Sequence, residues 1–281
     1  SNQPKRHDSV VLVRSIESYW SSMESAKTKA DALKKVQQDA WRLAWLSEEF
    51  RSDCEVVLEA VRRQGRALKY ASEGCRSDRD VVLEAVKQCG QSLVHASKSC
   101  QSDHEIVLEA VRRDWRALQY ASEGCKSNRE IALEAVSQDW CGARCALQFV
   151  SESCKSDREV VLAAVRRRHV AFQHASESCR SNREMVLEVV RLGPSSLQFA
   201  SQACRSDRDV VLEAVRQDGR ALRYAAQVCK SDREIVAAAV EQNSDALFYA
   251  APELLEDSGF AAEAKQDFFI LKVTTMSGRT T

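Results

Sequence analysis

Apolar positions recur along this chain on two length scales. On the short scale, Val57, Leu58 and Val61 fall at i, i+1 and i+4 with Ala60 beside them, one apolar face of helical period. A few residues later Leu68, Ala71 and Cys75 fall at i, i+3 and i+7, which predicts a second helix over Ala67 to Cys75, only about two turns long. On the long scale both patterns return together. Blocks beginning at Arg51, Arg76, Gln101, Lys126, Lys155, Arg180, Arg205 and Lys230 share one plan. A basic residue, Ser, Asp or Asn, any residue and an acid precede an apolar stretch that usually reads V-V-L-E-A-V. Ala-Leu, an aromatic or histidine, Ala and usually Cys complete the block. The step is 25 residues, except for 29 between Lys126 and Lys155. A worn copy, in which Leu33, Val36, Leu43, Trp45 and Phe50 hold the corresponding positions, comes first and makes nine units.

The polar positions predict where the helices start and stop. Ser52 with Glu55 reads as a capping box, repeated at Ser102 with Glu105, Ser127 with Glu130, Ser156 with Glu159, Ser181 with Glu184 and Ser231 with Glu234. Gly65, Gly90 and Gly219 read as C-terminal caps of the first helix. A helix pair this small cannot bury its apolar face alone, so neighbouring pairs must stack into a continuous core. The expected fold is therefore all-α: an α-α solenoid of about nine 25-residue helix-turn-helix repeats. The V-L-E-A-V and A-L-x-Y-A-S-E-x-C halves resemble the repeat family named domain of unknown function 4116, over residues 51 to 250 in eight copies. That resemblance implies a repeat array and carries over no activity and no ligand residues.

The ends depart from the repeat. Residues 8 to 25 predict an amphipathic helix with Val10, Val13, Ile16 and Trp20 near one face, a cap over the first repeat. Its mixed charge argues against a basic membrane anchor. The stretch Phe269 to Thr274 alternates and is β-branched, so it predicts a short strand leading to a turn around Gly278. This tail resembles the first strand and hairpin turn of a ubiquitin-like domain, which implies a chain cut inside a second domain; the alternative is an extended tail. The expected organisation is an N-terminal cap at 1–25, a solenoid at 26–250, and a C-terminal cap with extended tail at 251–281. The start, without methionine or an apolar signal core, reads as a processed or engineered terminus.

Composition adds exclusions. Lysine plus arginine equal aspartate plus glutamate at 41 each, so no net field draws the chain to nucleic acid. Apolar runs such as Val10 to Val13 fall far short of the ~20 residues of a membrane span, so no membrane insertion is expected. Seven of the 11 cysteines, Cys75, Cys100, Cys125, Cys154, Cys179, Cys204 and Cys229, share one repeat position. Stacked helices lie ~8–10 Å apart, beyond the ~7 Å reach of a disulfide, so these read as buried packing residues in a reducing intracellular compartment. Cys141 and Cys145 are i and i+4 with no histidine nearby, a poor metal site. His95 and His174 stand where other repeats carry Tyr70, Tyr120, Phe149, Phe199 and Tyr224, and read as neutral packed rings. No phosphate loop, H-E-x-x-H or G-x-S-x-G occurs, so neither an enzyme nor a metal or other cofactor is expected.

Two features remain for binding. Arg79, Arg129, Arg158, Arg183, Arg208 and Arg233 form a ladder beside a ladder of acids, which reads as an inter-repeat ion-pair lattice or, alternatively, as a basic stripe for RNA. Trp115 and Trp140 replace the glycine in two adjacent units, with Arg116 and Arg144 close by. They form either an exposed hot spot for a protein partner or indoles buried under the four-residue insertion. The expected function is a non-catalytic protein-binding scaffold or adaptor. The alternatives are a structural subunit of a large assembly, organellar or photosynthetic, and an RNA-binding array.

Overall fold

The structure is a computed structural model that describes residues 26–139 and 145–256. The expected N-terminal capping helix and C-terminal strand lie outside those residues, as do Trp140, Cys141 and Arg144. Among the described residues every regular element is helical. The contacts divide the chain into two compact units after Cys125, each a stack of helical repeats. Among the described residues, four long helices build the first unit: Lys29–Gln38, Cys54–Arg63, Arg79–Gln88 and His104–Arg113. Five build the second: Arg129–Ser137, Arg158–Arg167, Arg183–Leu192, Arg208–Gln217 and Arg233–Gln242. In each unit consecutive long helices pack side by side in one layer, and the shorter elements that follow them stack in another. This is an all-α repeat solenoid, as the periodicity predicts.

The long helix buries a slightly different face from the one the sequence offers first. Val56, Val57, Ala60 and Val61 are all at 0% exposure, while Leu58 stays half-buried. The same four positions are buried in the next repeats, at 81, 82, 85 and 86 and again at 106, 107, 110 and 111. Its start also sits one residue later than a Ser–Glu capping box requires. Asp53 is the N-cap, and its Oδ1 accepts from the amides of Glu55 at 2.9 Å and Val56 at 3.2 Å. Ser52 instead ends the preceding short helix. Aspartate or asparagine does the same at 78, 103, 128, 157, 182, 207 and 232. These are among the best N-cap residues, because a short side-chain oxygen reaches the orphan amides of the first turn.

The expected second helix, Ala67 to Cys75, is two elements. A 3₁₀ helix, Gly65–Tyr70, ends at Ala71 in extended backbone, and a short α-helix, Glu73–Ser77, follows. The break points the amide of Ser72 at the preceding repeat, where it donates to the carbonyl of Arg51 at 2.9 Å. The first unit repeats this bond from Ser97 to Arg76 and from Ser122 to Gln101. In the second unit it runs from Ser151 to Lys126, Ser176 to Lys155, Ser201 to Arg180, Ala226 to Arg205 and Ala251 to Lys230. An unbroken helix would spend that amide internally, so the break is what lets one backbone bond tie each repeat to its neighbour.

Gly65, Gly90 and Gly219 correct a third expectation. Each follows the helix C-cap and opens the 3₁₀ helix, and what requires glycine there is closeness. A Cβ on Gly65 would lie well inside contact distance of the Ala85 carbonyl oxygen in the next repeat, and Gly90 and Gly219 meet Ala110 and Ala239 in the same way. The periodic cysteines are buried and free, as expected. Their thiols do more than fill space. Cys100, Cys125, Cys179, Cys204 and Cys229 each donate to a serine carbonyl of the preceding repeat, Cys229 to Ser206 at 3.4 Å.

Candidate functional site

The arginine ladder is a set of clamps between repeats. Arg183 reaches Oδ2 of Asp207 through Nε at 3.0 Å and Asp209 through Nη2. Arg79 holds Asp103 and Glu105, Arg129 holds Asp157 and Glu159, and Arg208 holds Asp232 and Glu234. Lys29 does this job for the first repeat, on Asp53 at 2.9 Å and Glu55 at 2.6 Å. Asp53, Asp103, Asp157, Asp207 and Asp232 therefore serve twice, one oxygen on their own helix and the other on the neighbour's cation. Where the cap is Asn182, the clamp has no charge to hold and Arg158 pairs with Glu188 instead. These pairs are exposed and screened by solvent, so each contributes little to stability, but they neutralise the ladder.

The tryptophans divide. Trp115 opens the 3₁₀ helix Trp115–Tyr120 and is 5% exposed, so its indole is packed inside; only Arg116, whose guanidinium lies 5.1 Å from the ring centroid, faces solvent. Trp140 and Arg144 lie outside the described residues.

The surface aromatics of the first unit lie elsewhere. Trp41, Tyr70, His95 and Tyr120 come from four successive repeats and line a groove of about 440 Å³ with Arg66, Lys69, Gln91 and Val94. The 3₁₀ layer places them: because this helix has three residues per turn and stacks on its copies, its last residue, Tyr70, His95 or Tyr120, returns to the same rim, and Trp41 joins them from the second position of Ala40–Trp45. Trp41 and Val94 are 37% and 40% exposed, large apolar side chains that the fold leaves partly open to solvent. Trp41 meets Tyr70 edge to face at 6.1 Å and 84°, and Lys69 Nζ lies 5.6 Å from the Tyr70 ring centroid. Arg66 Nη2 donates to Gln91 Oε1 at 3.0 Å, and Gln91 Nε2 donates to Asp114 Oδ2 at 2.7 Å. That chain fixes the groove across three repeats.

Electrostatically the described residues of the lining include two permanent cations and no carboxylate. Burial, followed by the Lys69, Arg76 and Arg66 charges, holds the His95 imidazole below its usual range. It is a neutral ring, as its repeat position implies. The sequence treats these aromatics as core-edge packing. The signal that they do more is the combination of a constant aromatic with varying cationic or apolar neighbours, Lys69 and Val94.

A second depression, about 670 Å³, runs along the helix Arg129–Ser137 and is lined by Asn128, Arg129, Glu130, Leu133, Glu134 and Ser137. Its arginine is already clamped to Asp157 and Glu159, so its polar groups do not converge on a common point. No group of three or more His, Cys, Asp or Glu side chains suited to a metal occurs among the described residues. No helix among them is long and apolar enough to cross a membrane.

Neither the curated proteins nor the solved structures give a match to this chain. A family model described as Domain of unknown function (DUF4116) matches eight times, at 32–76, 54–101, 78–126, 103–153, 128–180, 157–205, 182–227 and 207–255. Each match spans about two of the structural repeats and overlaps the next, which is the register expected if the family's unit is a stacked pair. The chain belongs to the DUF4116 family.

Proposed function

We propose that the protein is a non-catalytic binding module whose groove receives an acidic segment of a partner protein. The observation that carries this reading is the lining itself: Arg66 and Lys69 beside Trp41, Tyr70, Val94 and His95, with no carboxylate among them. Carboxylates of the segment would pair with the two cations while an apolar side chain covers Trp41 and Val94, the mixture of aromatic anchor and charge that concentrates binding energy. The whole chain has no net charge, so the attraction is local and screened within about 8 Å at physiological salt.

RNA is the less favoured occupant for two reasons. The arginines that would make a phosphate stripe are paired with aspartate and glutamate. In the groove, the Tyr70 ring carries Lys69 at its face and Trp41 against it, so the open stacking platform that a base requires is taken.

Fluorescence anisotropy of the full chain with labelled peptides tests the proposal. The probes are a Glu/Asp-rich 12-mer containing one leucine, its Lys-rich counterpart, and an oligouridine of equal length. The acidic peptide is expected to bind, to weaken as salt rises, and to lose roughly tenfold or more on the double substitution Arg66→Glu with Lys69→Glu. Equal binding of the acidic and basic peptides, or tighter binding of oligouridine, overturns the reading.

A further inference from the structure

One repeat replaces the clamp arginine with a thiol. The first residue of the long helix is arginine at 79, 129, 158, 183, 208 and 233, but cysteine at 54. Cys54 is exposed, and its Sγ lies 3.6 Å from Sγ of buried Cys75 and 3.9 Å from Oδ2 of Asp78. Where Cys100, Cys125 and Cys179 spend their thiols on a serine carbonyl, Cys75 faces a second sulfur. Burial first, and then the Cys54 thiol, push the Cys75 thiol up to about 11. The pair is therefore asymmetric: one sulfur open to reagents, the other shielded and protonated.

We propose that Cys54 and Cys75 form a reversible redox site that low-molecular-weight disulfides oxidise to an intramolecular disulfide. In the first step the Cys54 thiolate attacks a small disulfide R–S–S–R; a sulfur–sulfur bond forms to Cys54, the reagent's bond breaks and one thiolate leaves. In the second step Cys75 attacks the Cys54 sulfur, the second thiolate leaves and takes up the Cys75 proton. The protein gives up two electrons and the small disulfide becomes two thiols, so the exchange balances. Closing the gap from 3.6 Å to the ~2.05 Å of a bond needs little more than side-chain rotation at exposed Cys54. The bond staples the N-terminus of Cys54–Arg63 to the short helix Glu73–Ser77, closing a loop between residues 21 apart that contains Arg66, Lys69 and Tyr70. It occupies the one repeat step where the clamp residue is a thiol.

The test is thiol mapping of the full chain after equilibration in mixtures of reduced and oxidised glutathione, with acid quench, alkylation and peptide mass spectrometry. The expected result is the loss of two free thiols and the appearance of a Cys54–Cys75 peptide, both reversed on reduction. The step from adduct to disulfide should accelerate with rising pH below about 11, where Cys75 loses its proton. Cys75→Ala should halt at a glutathione adduct on Cys54, with one thiol lost. Cys54→Arg, which restores the clamp residue beside Asp78 and Asp80, should lose neither. A wild-type chain that stays unreacted, that accumulates only the Cys54 adduct, or that links Cys75 to a different cysteine overturns the proposal.

Discussion

A single methyl group tests the packing at Gly65. An added Cβ would collide with the Ala85 carbonyl oxygen, and a backbone atom cannot swing aside as a side-chain end can. Gly65→Ala should therefore cost about 1–3 kcal/mol, the usual penalty for overpacking a filled interior. Gly74 is the internal control. It lies within the short helix Glu73–Ser77, and the nearest atom to an added Cβ is Ser72 Oγ at 3.8 Å, an ordinary contact. Gly74→Ala should leave stability unchanged or raise it by about 0.4–1 kcal/mol, because alanine restricts the unfolded chain. Urea melts of both variants decide the matter: equal effects at the two positions would show that conformational freedom, and not the close approach, explains Gly65. A glycine after an apolar helix looks the same in sequence whether it turns the chain or admits a neighbour's carbonyl. The role of Gly65 therefore could not be read before the neighbour was seen.

At the scale of the element, the N-cap aspartate has two jobs that substitutions separate. Asn128 and Asn182 cap their helices without a charge, so Asp207→Asn should keep the cap and lose only the exposed clamp from Arg183, a small loss. Asp207→Ala should lose both, adding about 0.5–2 kcal/mol for the cap. Burial alone would raise the Asp207 carboxyl; the Val210 amide, the Arg183 guanidinium and the Asp209 amide together outweigh it and hold the group below the usual carboxylate range. A carboxyl with a depressed folded-state value stabilises fully above its unfolded value, about 3.9, and this contribution fades as pH falls through the folded value. Urea melts near neutrality should therefore separate wild type from Asp207→Asn, and the gap should close as pH falls through the depressed folded value. A gap that persists in acid would mean that the ionised form contributes nothing. The period and the all-α class were legible because Val57, Ala60, Leu68 and Cys75 repeat at fixed spacing; the exact buried face was not, since Val56 is buried where Leu58 was expected. The break at Ala71 was not. A-L-K-Y-A-S-E has no glycine or proline to end a helix, and the break is set by the bond from Ser72 to Arg51, a contact with another repeat. The groove was half legible: Tyr70, His95 and Tyr120 were visible as a periodic set, but Trp41 stands at a different repeat position and only stacking brings it to their rim.

For the molecule as a whole, nearest-neighbour construction implies that damage stays local. Each repeat of the second unit is joined to the next by one backbone bond, an apolar face and, at most steps, a cysteine thiol on a serine carbonyl. Stability in such an array is a sum of repeat and interface contributions, so a lesion at one interface lowers the two repeats that share it most. Gly219→Ala places a Cβ against the Ala239 carbonyl and isolates one such interface. Native-state hydrogen exchange should show amides of Arg208–Gln217 and Arg233–Gln242 opening roughly 5–150-fold more often, the equivalent of about 1–3 kcal/mol. Amides of Arg158–Arg167, two repeats away in the same unit, should keep most of their protection. If protection falls equally in all three helices, the unit opens as one cooperative block and the additive account of its stability fails. If the loss is confined as expected, each repeat's surface can change without unfolding its neighbours, and an aromatic rim can specialise in one unit while the repeats that support it stay the same.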